Sequence, residues 1–276
     1  MIRAARRRKA PEIIRRDGRD MIDRGLVADA FNRYVAAYSA SDPKIRLKTA
    51  HTCRVAALCE RIAVEVSVGD PDLAWLCGML HDIGRFEQVA RYGTFIDAES
   101  VDHAALGADL LFREGLSKRF ALEELPESAR SLLETAIRGH NAFSVDPGLP
   151  GETAAYCHIL RDADKIDIFR ANCETPLEDI YNVSTEALRA SSVSEAVRAC
   201  FQNRTTVLRT LKHTPADYLV SQVCLVFGLV YPVSRRIVRE QGYVDRLLSF
   251  RSDNPETRRW FEHMRETIWD MPDGET

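Results

Sequence analysis

The chain has 276 residues, of which 45% are apolar and 29% charged, with 14 Gly, 11 Pro and a formal net charge of −3 at pH 7. Such values exclude disordered, collagen-like and disulfide-scaffold chains, and the slight acidic excess excludes a surface built mainly to hold nucleic acid, where a basic face supplies most of the affinity. No apolar run approaches the roughly 18–20 residues of a membrane span, and no signal-like apolar stretch follows the basic N-terminus, so a cytoplasmic protein with no membrane partner is expected.

The first twenty residues carry Arg3, Arg6, Arg7, Arg8, Lys9, Arg15, Arg16 and Arg19 against Glu12, Asp17 and Asp20. This segment is expected to be a disordered basic arm, the one place where a nucleic acid or anionic surface could be met. Met21 is a second candidate start. Residues 21–276 are expected to form a single helical domain. Leu26, Ala30, Tyr34 and Ala37 fall on one helical stripe, and Leu47, His51, Val55, Leu58 and Ile62 on a second. Asp70-Pro71-Asp72 offers an acidic cap with proline in the first turn, opening a short apolar helix that should stop at Gly84. Residues 85–101 read as a loop. Further helices are expected at 103–113, 127–138, 153–168, 186–200, 216–230 and 255–268, with Pro232 kinking or ending one of the last, and a handover to a C-terminal extension near 172–182. The fold class is therefore all-α. Seven cysteines, odd in number and without a C-x-x-C pair, read as reduced core thiols.

Four of the seven histidines occur in order with acidic neighbours: His51, His81-Asp82, His103 and His140, followed by Asp162-Ala163-Asp164. His51 interrupts an apolar stripe, so its imidazole faces the interior and requires a partner, either a core hydrogen bond or a metal. Side chains of adjacent residues diverge by about 100° in mid-helix, so His81 and Asp82 can converge only where the chain turns out of its helix at Ile83-Gly84. Asp164 shares a stripe with Cys157, Leu160 and Ile168, and Asp162 shares another with Ile159 and Ile166. Periodicity does not choose between these two aspartates, and an ion pair with Lys165 or Arg161 would satisfy either. His158, His213 and His263 match no pattern and read as structural or surface residues.

The order His51, His81-Asp82, Asp164 resembles the H…HD…D signature of the HD-domain superfamily of metal-dependent phosphohydrolases. Leu80-His81-Asp82-Ile83-Gly84-Arg85 is similar to its L-H-D-I-G-[KR] core, and Ala163-Asp164-Lys165-Ile166-Asp167 to its closing A-D-K-[IL]-D segment, which selects Asp164. The resemblance covers about residues 47–169 and implies an HD-type helical bundle, with C-terminal helices at about 184–270 as an extension. It implies that His51, His81, Asp82 and Asp164 hold one divalent ion. His103 and His140 match positions that hold a second ion in two-metal members such as the HD-GYP phosphodiesterases, with Asp82 bridging. His140-Asn141-Ala142 departs from their H-H-E, so cyclic dinucleotide specificity does not carry over. The alternative for His103 is a hydrogen bond to Asp97.

A mixed nitrogen and oxygen donor set suits Mn, Fe, Co, Ni or Zn and also admits Mg. Two ions about 3.5–4 Å apart would activate a water for phosphoester hydrolysis. The resemblance thus implies an enzyme cleaving a phosphomonoester or phosphodiester of a nucleotide or related small molecule, with Asp82, Arg85 and Lys165 as catalytic residues, the two cations meeting the substrate phosphate. Ion pairing, of Arg85 with Glu87 for instance, is the competing role. Residues 91–97 are expected to line or cover the pocket. Competing functional classes are an HD-type diiron oxygenase and a metal-retaining regulatory binding protein without turnover.

Overall fold

A computed structural model describes residues 15–16, 19–20, 22–176 and 183–270. Of the basic arm, only Arg15–Arg16 and Arg19–Asp20 are described, and these pair as a minimal antiparallel ladder. Everything else regular among the described residues is helical, which bears out the expected all-α fold class. The chain divides into two compact units, Met1–Leu160 and Arg161–Thr276. The handover expected near 172–182 lies outside the described residues from 177 onward.

In the first unit, α1 (Arg24–Val35) opens on Asp23, whose carboxylate accepts from Leu26 N. Asp42 caps α2 (Pro43–Val66) and Asp70 caps α3 (Pro71–Leu80), each with proline in the first turn, where a missing N–H costs no hydrogen bond. Helices α2 and α3 form a tight hairpin. A Cβ on Gly78 would lie 2.8 Å from Ala56 N, so the two backbones approach as closely as they do only because that side chain is absent. Tyr156 clamps the connection between them, its hydroxyl accepting from Asp70 N and donating to Asp70 O. The remaining helices of this unit are α4 (Ile83–Tyr92), α5 (His103–Phe112), α6 (Glu127–Gly139) and the first part of α7 (Gly151–Glu174). Val55, Ile62, Leu76, Leu80, Ile83, Phe86, Leu111 and Leu133 lose essentially all solvent contact, each burial contributing about 1.5–3 kcal/mol.

Helix α4 corrects the loop expected over 85–101, and Gly84 does not stop a helix but sits in the first turn of this one. Its role is close packing: a Cβ there would lie 2.6 Å from Gly107 N and closer still to His103 O. The buried stripe Ile83, Phe86, Val89 carries the helical period through the segment. Only the stretch between Gly93 and Asp102 is irregular, with one 3-10 turn at Asp97–Glu99.

The second unit contains the rest of α7, then α8 (Thr185–Ala190), α9 (Glu195–Gln202), α10 (Pro215–Val223), α11 (Pro232–Gln241), α12 (Tyr243–Leu248) and α13 (Pro255–Thr267). The single helix expected over 186–200 is broken at Ser191–Ser194. There the Asp217 carboxylate takes Ser194 N, Ser191 Oγ takes Ala216 N, and Thr257 Oγ1 donates to Ser191 O, so partners distant in sequence claim the groups a continuous helix would need. The helix expected over 216–230 gives way at Cys224 to a 3-10 turn, and Pro232 begins α11 rather than kinking or ending a helix. All seven cysteines are free thiols.

Candidate metal centre

His51 lies within α2 and is buried. Helix α3 ends at Leu80, His81 forms its C-cap, and Asp82 takes φ −101°, ψ 16° before α4 begins at Ile83. This one-residue break cancels the divergence a continuous helix would impose on adjacent side chains, and His81 Nε2 comes within 3.4 Å of Asp82 Oδ2. His103 opens α5, pressed against α4 at Gly84, and His140 is the C-cap of α6. All five side chains are buried.

The Asp82 carboxylate is the hub. Its Oδ2 faces His51 Nε2 at 3.5 Å and His81 Nε2, while its Oδ1 faces His103 Nε2 at 3.4 Å and His140 Nε2 at 3.7 Å. Three of the rings are pinned through their other nitrogen: His81 Nδ1 to Gly78 O at 2.8 Å, His140 Nδ1 to Ile137 O at 2.7 Å and His103 Nδ1 to Asp97 Oδ2 at 2.8 Å. Carbonyl and carboxylate oxygens only accept, so each of these Nδ1 atoms carries a proton and each ring turns its Nε2 inward. His103 Nε2 and His140 Nε2 stand 3.0 Å apart. A proton or a metal ion between the two nitrogens satisfies that separation. Four imidazole Nε2 atoms gathered around one buried carboxylate are a donor set that fits a divalent metal. His81, Asp82 and His140 also offer ligand atoms all within 4.8 Å of one another.

Asp97 organises the surroundings. Its carboxylate receives Arg85 Nη1 at 2.8 Å and Gln88 Nε2 at 3.0 Å as well as His103. Arg85 Nη1 further donates to Phe95 O at 2.7 Å, and the Gln88 amide reaches Ser100 Oγ and Val101 O. Burial pushes the Asp97 carboxyl up, but His103 and Arg85 outweigh it and hold the group well below the usual carboxylate range. Burial pushes His103 down to about 4 despite Asp97, keeping the ring neutral and able to ligate. At Asp82, burial again opposes ionisation, yet Lys48, His81 and His140 together hold the carboxyl far below its ordinary value.

The pairing of Arg85 with Glu87 does not form. Glu87 accepts from Arg91 at 2.6 Å and Tyr38 at 2.8 Å, whereas Arg85, four residues C-terminal to His81, reaches forward to Asp97 in the segment between α4 and α5. The hydrogen bond from Asp97 to His103 is made on Nδ1 and leaves Nε2 facing Asp82, so the two roles weighed for His103 are compatible. In the second unit, buried Asp162 accepts Val230 N and Tyr231 N, each at 3.0 Å for Oδ2, which gives that aspartate a structural occupation. Lys165 donates to Gly228 O at 2.7 Å there, and burial lowers its pKa. Asp164 is half-buried on α7, one helical turn past Leu160. His213 and His263 are exposed. The residue that motif reading missed is Lys48: its ammonium meets Asp82 Oδ2 at 2.6 Å, and its spacing of three from His51, which puts both on one face of α2, was the available signal.

The chain thus breaks at a His-Asp pair, and three further histidines close on that aspartate, a grouping that could hold a metal ion. The HD domain family model matches residues 49–168 of the chain, the segment that carries His51, His81-Asp82, His103, His140 and Asp164. No curated protein and no solved structure was found that matches the chain.

Proposed function

We propose that the HD domain is a divalent-metal phosphohydrolase centre, with His51, His81, Asp82 and Asp164 holding one ion and Asp82, His103 and His140 a second. The observation that carries this reading is the pair of inward Nε2 atoms of His103 and His140, 3.0 Å apart and both beside Asp82 Oδ1. Asp164 enters on the HD pattern of Ala163-Asp164-Lys165, with Asp162 already engaged by backbone amides. The bound ions, of Mn, Fe, Co, Ni, Zn or Mg, supply an activated water and neutralise phosphoryl charge. Asp82 would hold the ions together with the histidines, and Asp97 fixes the tautomer and direction of His103. Arg85, held through Nη1 and 13% exposed, keeps a permanent positive charge at the site for a phosphoryl oxygen. The substrate class is a phosphomonoester or phosphodiester of a nucleotide or related small molecule.

The test is metal analysis of protein purified with and without oxygen, combined with a phosphate-release screen across nucleotides. Wild-type protein should carry metal and release phosphate, and replacing His81 and Asp82 together by Ala should remove both while circular dichroism retains the helical signal. Undiminished hydrolysis by that double variant would overturn the proposal.

A further inference from the structure

The two oxygens of Asp82 have matched surroundings, each with two imidazoles and one basic side chain, but the basic side chains are held differently. Arg85 Nε is 3.6 Å from Oδ1, and its Nη1 is tied to Gln88, Phe95 O and Asp97, so the guanidinium is fixed by groups outside the carboxylate. Lys48 has no such tether. Its ammonium sits 2.6 Å from Oδ2, with the Phe95 ring 5.6 Å away and no second carboxylate on it among the described residues, and the side chain remains 17% exposed. It therefore occupies the oxygen shared by His51 and His81, on the side from which solvent reaches it.

An ammonium and a divalent ion cannot both sit at contact distance on one carboxylate oxygen without strong repulsion in a buried setting. A carboxylate as enclosed as Asp82, at 2% exposure, also needs a counter-charge when no ion is present. We propose that Lys48 is a built-in, displaceable cation: it balances Asp82 in the metal-free protein and leaves Oδ2 when a divalent ion enters the His51/His81 half of the site. The chain thereby stays assembled without metal, and ion binding is coupled to release of a lysine at the rim beside Phe95. This inference rests on the metal centre proposed above.

The test uses the full chain stripped of metal. Titration with Mn²⁺ or Zn²⁺ should show the Lys48→Met variant binding at least tenfold more tightly than wild type, because the competitor is gone, while Lys48→Arg stays within a few-fold of wild type. Metal-free Lys48→Met should melt below metal-free wild type. A measurement on wild type covers the case in which Lys48→Met fails to fold. Acetic anhydride labelling of Lys48, read by peptide mass spectrometry, should rise several-fold on metal addition. Equal affinities for wild type and Lys48→Met, with Lys48 labelling unchanged by metal, would overturn the displacement role and leave the metal centre standing. Failure of wild type and both variants to bind either ion would overturn the metal centre together with it.

Discussion

Replacing Gly84 by Ala adds one carbon atom where α4 meets α5. Gly84 does not have positive φ, so the new residue brings no backbone strain, and helix propensity alone would favour it by up to about 1 kcal/mol. The added Cβ, however, would lie 2.6 Å from Gly107 N, with His103 O nearer, and both obstacles are backbone. Restoring an ordinary contact of 3.4 Å requires the helices to part by about 0.8 Å or more. Overpacking of this kind costs about 1–3 kcal/mol, so the net destabilisation should be about 1–2 kcal/mol and the midpoint should fall by roughly 2–8 °C. His103 rides on α5, so its distance of 3.4 Å from Asp82 would stretch to about 4 Å, and metal affinity should fall with stability. Thermal melting of metal-free protein and a metal titration read the two effects separately. Gly93→Ala is the control: Gly93 has φ +68° with no atom within 4 Å of a Cβ, so strain of about 1 kcal/mol should leave metal binding unaltered. A Gly84→Ala protein that melts at or above wild type with undiminished metal affinity would refute the close-packing argument.

Asp97→Asn removes the charge that orients His103 and pairs with Arg85, and metal affinity should drop 10–100-fold in a direct titration; an unchanged affinity would show that Asp97 does not set the ring. Tyr34, buried and donating to Ile83 O, has its pKa raised by that burial from 10 to about 12. A raised folded-state pKa means stability that is complete below pH 10 and declines as pH climbs toward 12, by about 3 kcal/mol in all, and Tyr34→Phe should flatten that decline in urea melts at stepped pH. Tyr156→Phe strips the partner from Asp70 N at the α2–α3 connection and should cost about 1–3 kcal/mol in urea denaturation, with little change in the helical spectrum.

Local chemistry made much of this molecule legible before any coordinates. Asp70-Pro71 announces α3 because a cap and an N1 proline act within one turn, and the stripe through Leu47, Val55 and Ile62 announces α2 because its period is local. The need for His81 and Asp82 to leave their helix follows from side-chain directions alone, and the chain does turn there. What could not be read depends on distant partners. Gly84 looks like a helix stop until α5 is placed against it. Ser191–Ser194 looks helical until Asp217 and Thr257 claim its backbone. Asp162 is indistinguishable from Asp164 by period, and only the Val230 and Tyr231 amides, nearly seventy residues on, give it a different employment. Lys48 lacks a motif, so its meeting with Asp82 appears only when α2 lies beside the α3–α4 break.

Gln88 uses both amide hydrogens and its carbonyl to join Arg85 to Asp97, Ser100 and Val101, so the course of the segment after Gly93 is dictated from inside α4. The side chains along that segment's outer edge, such as the exposed Ile96, Ala98 and Glu99, take no part in this anchoring. Frame and rim are thus separable. Randomising the rim positions while leaving Gln88, Arg85 and Asp97 untouched offers a route to altered ligand choice in which the buried histidines keep their geometry, and a library built on that division should retain folded members at high frequency where one that includes Gln88 should not.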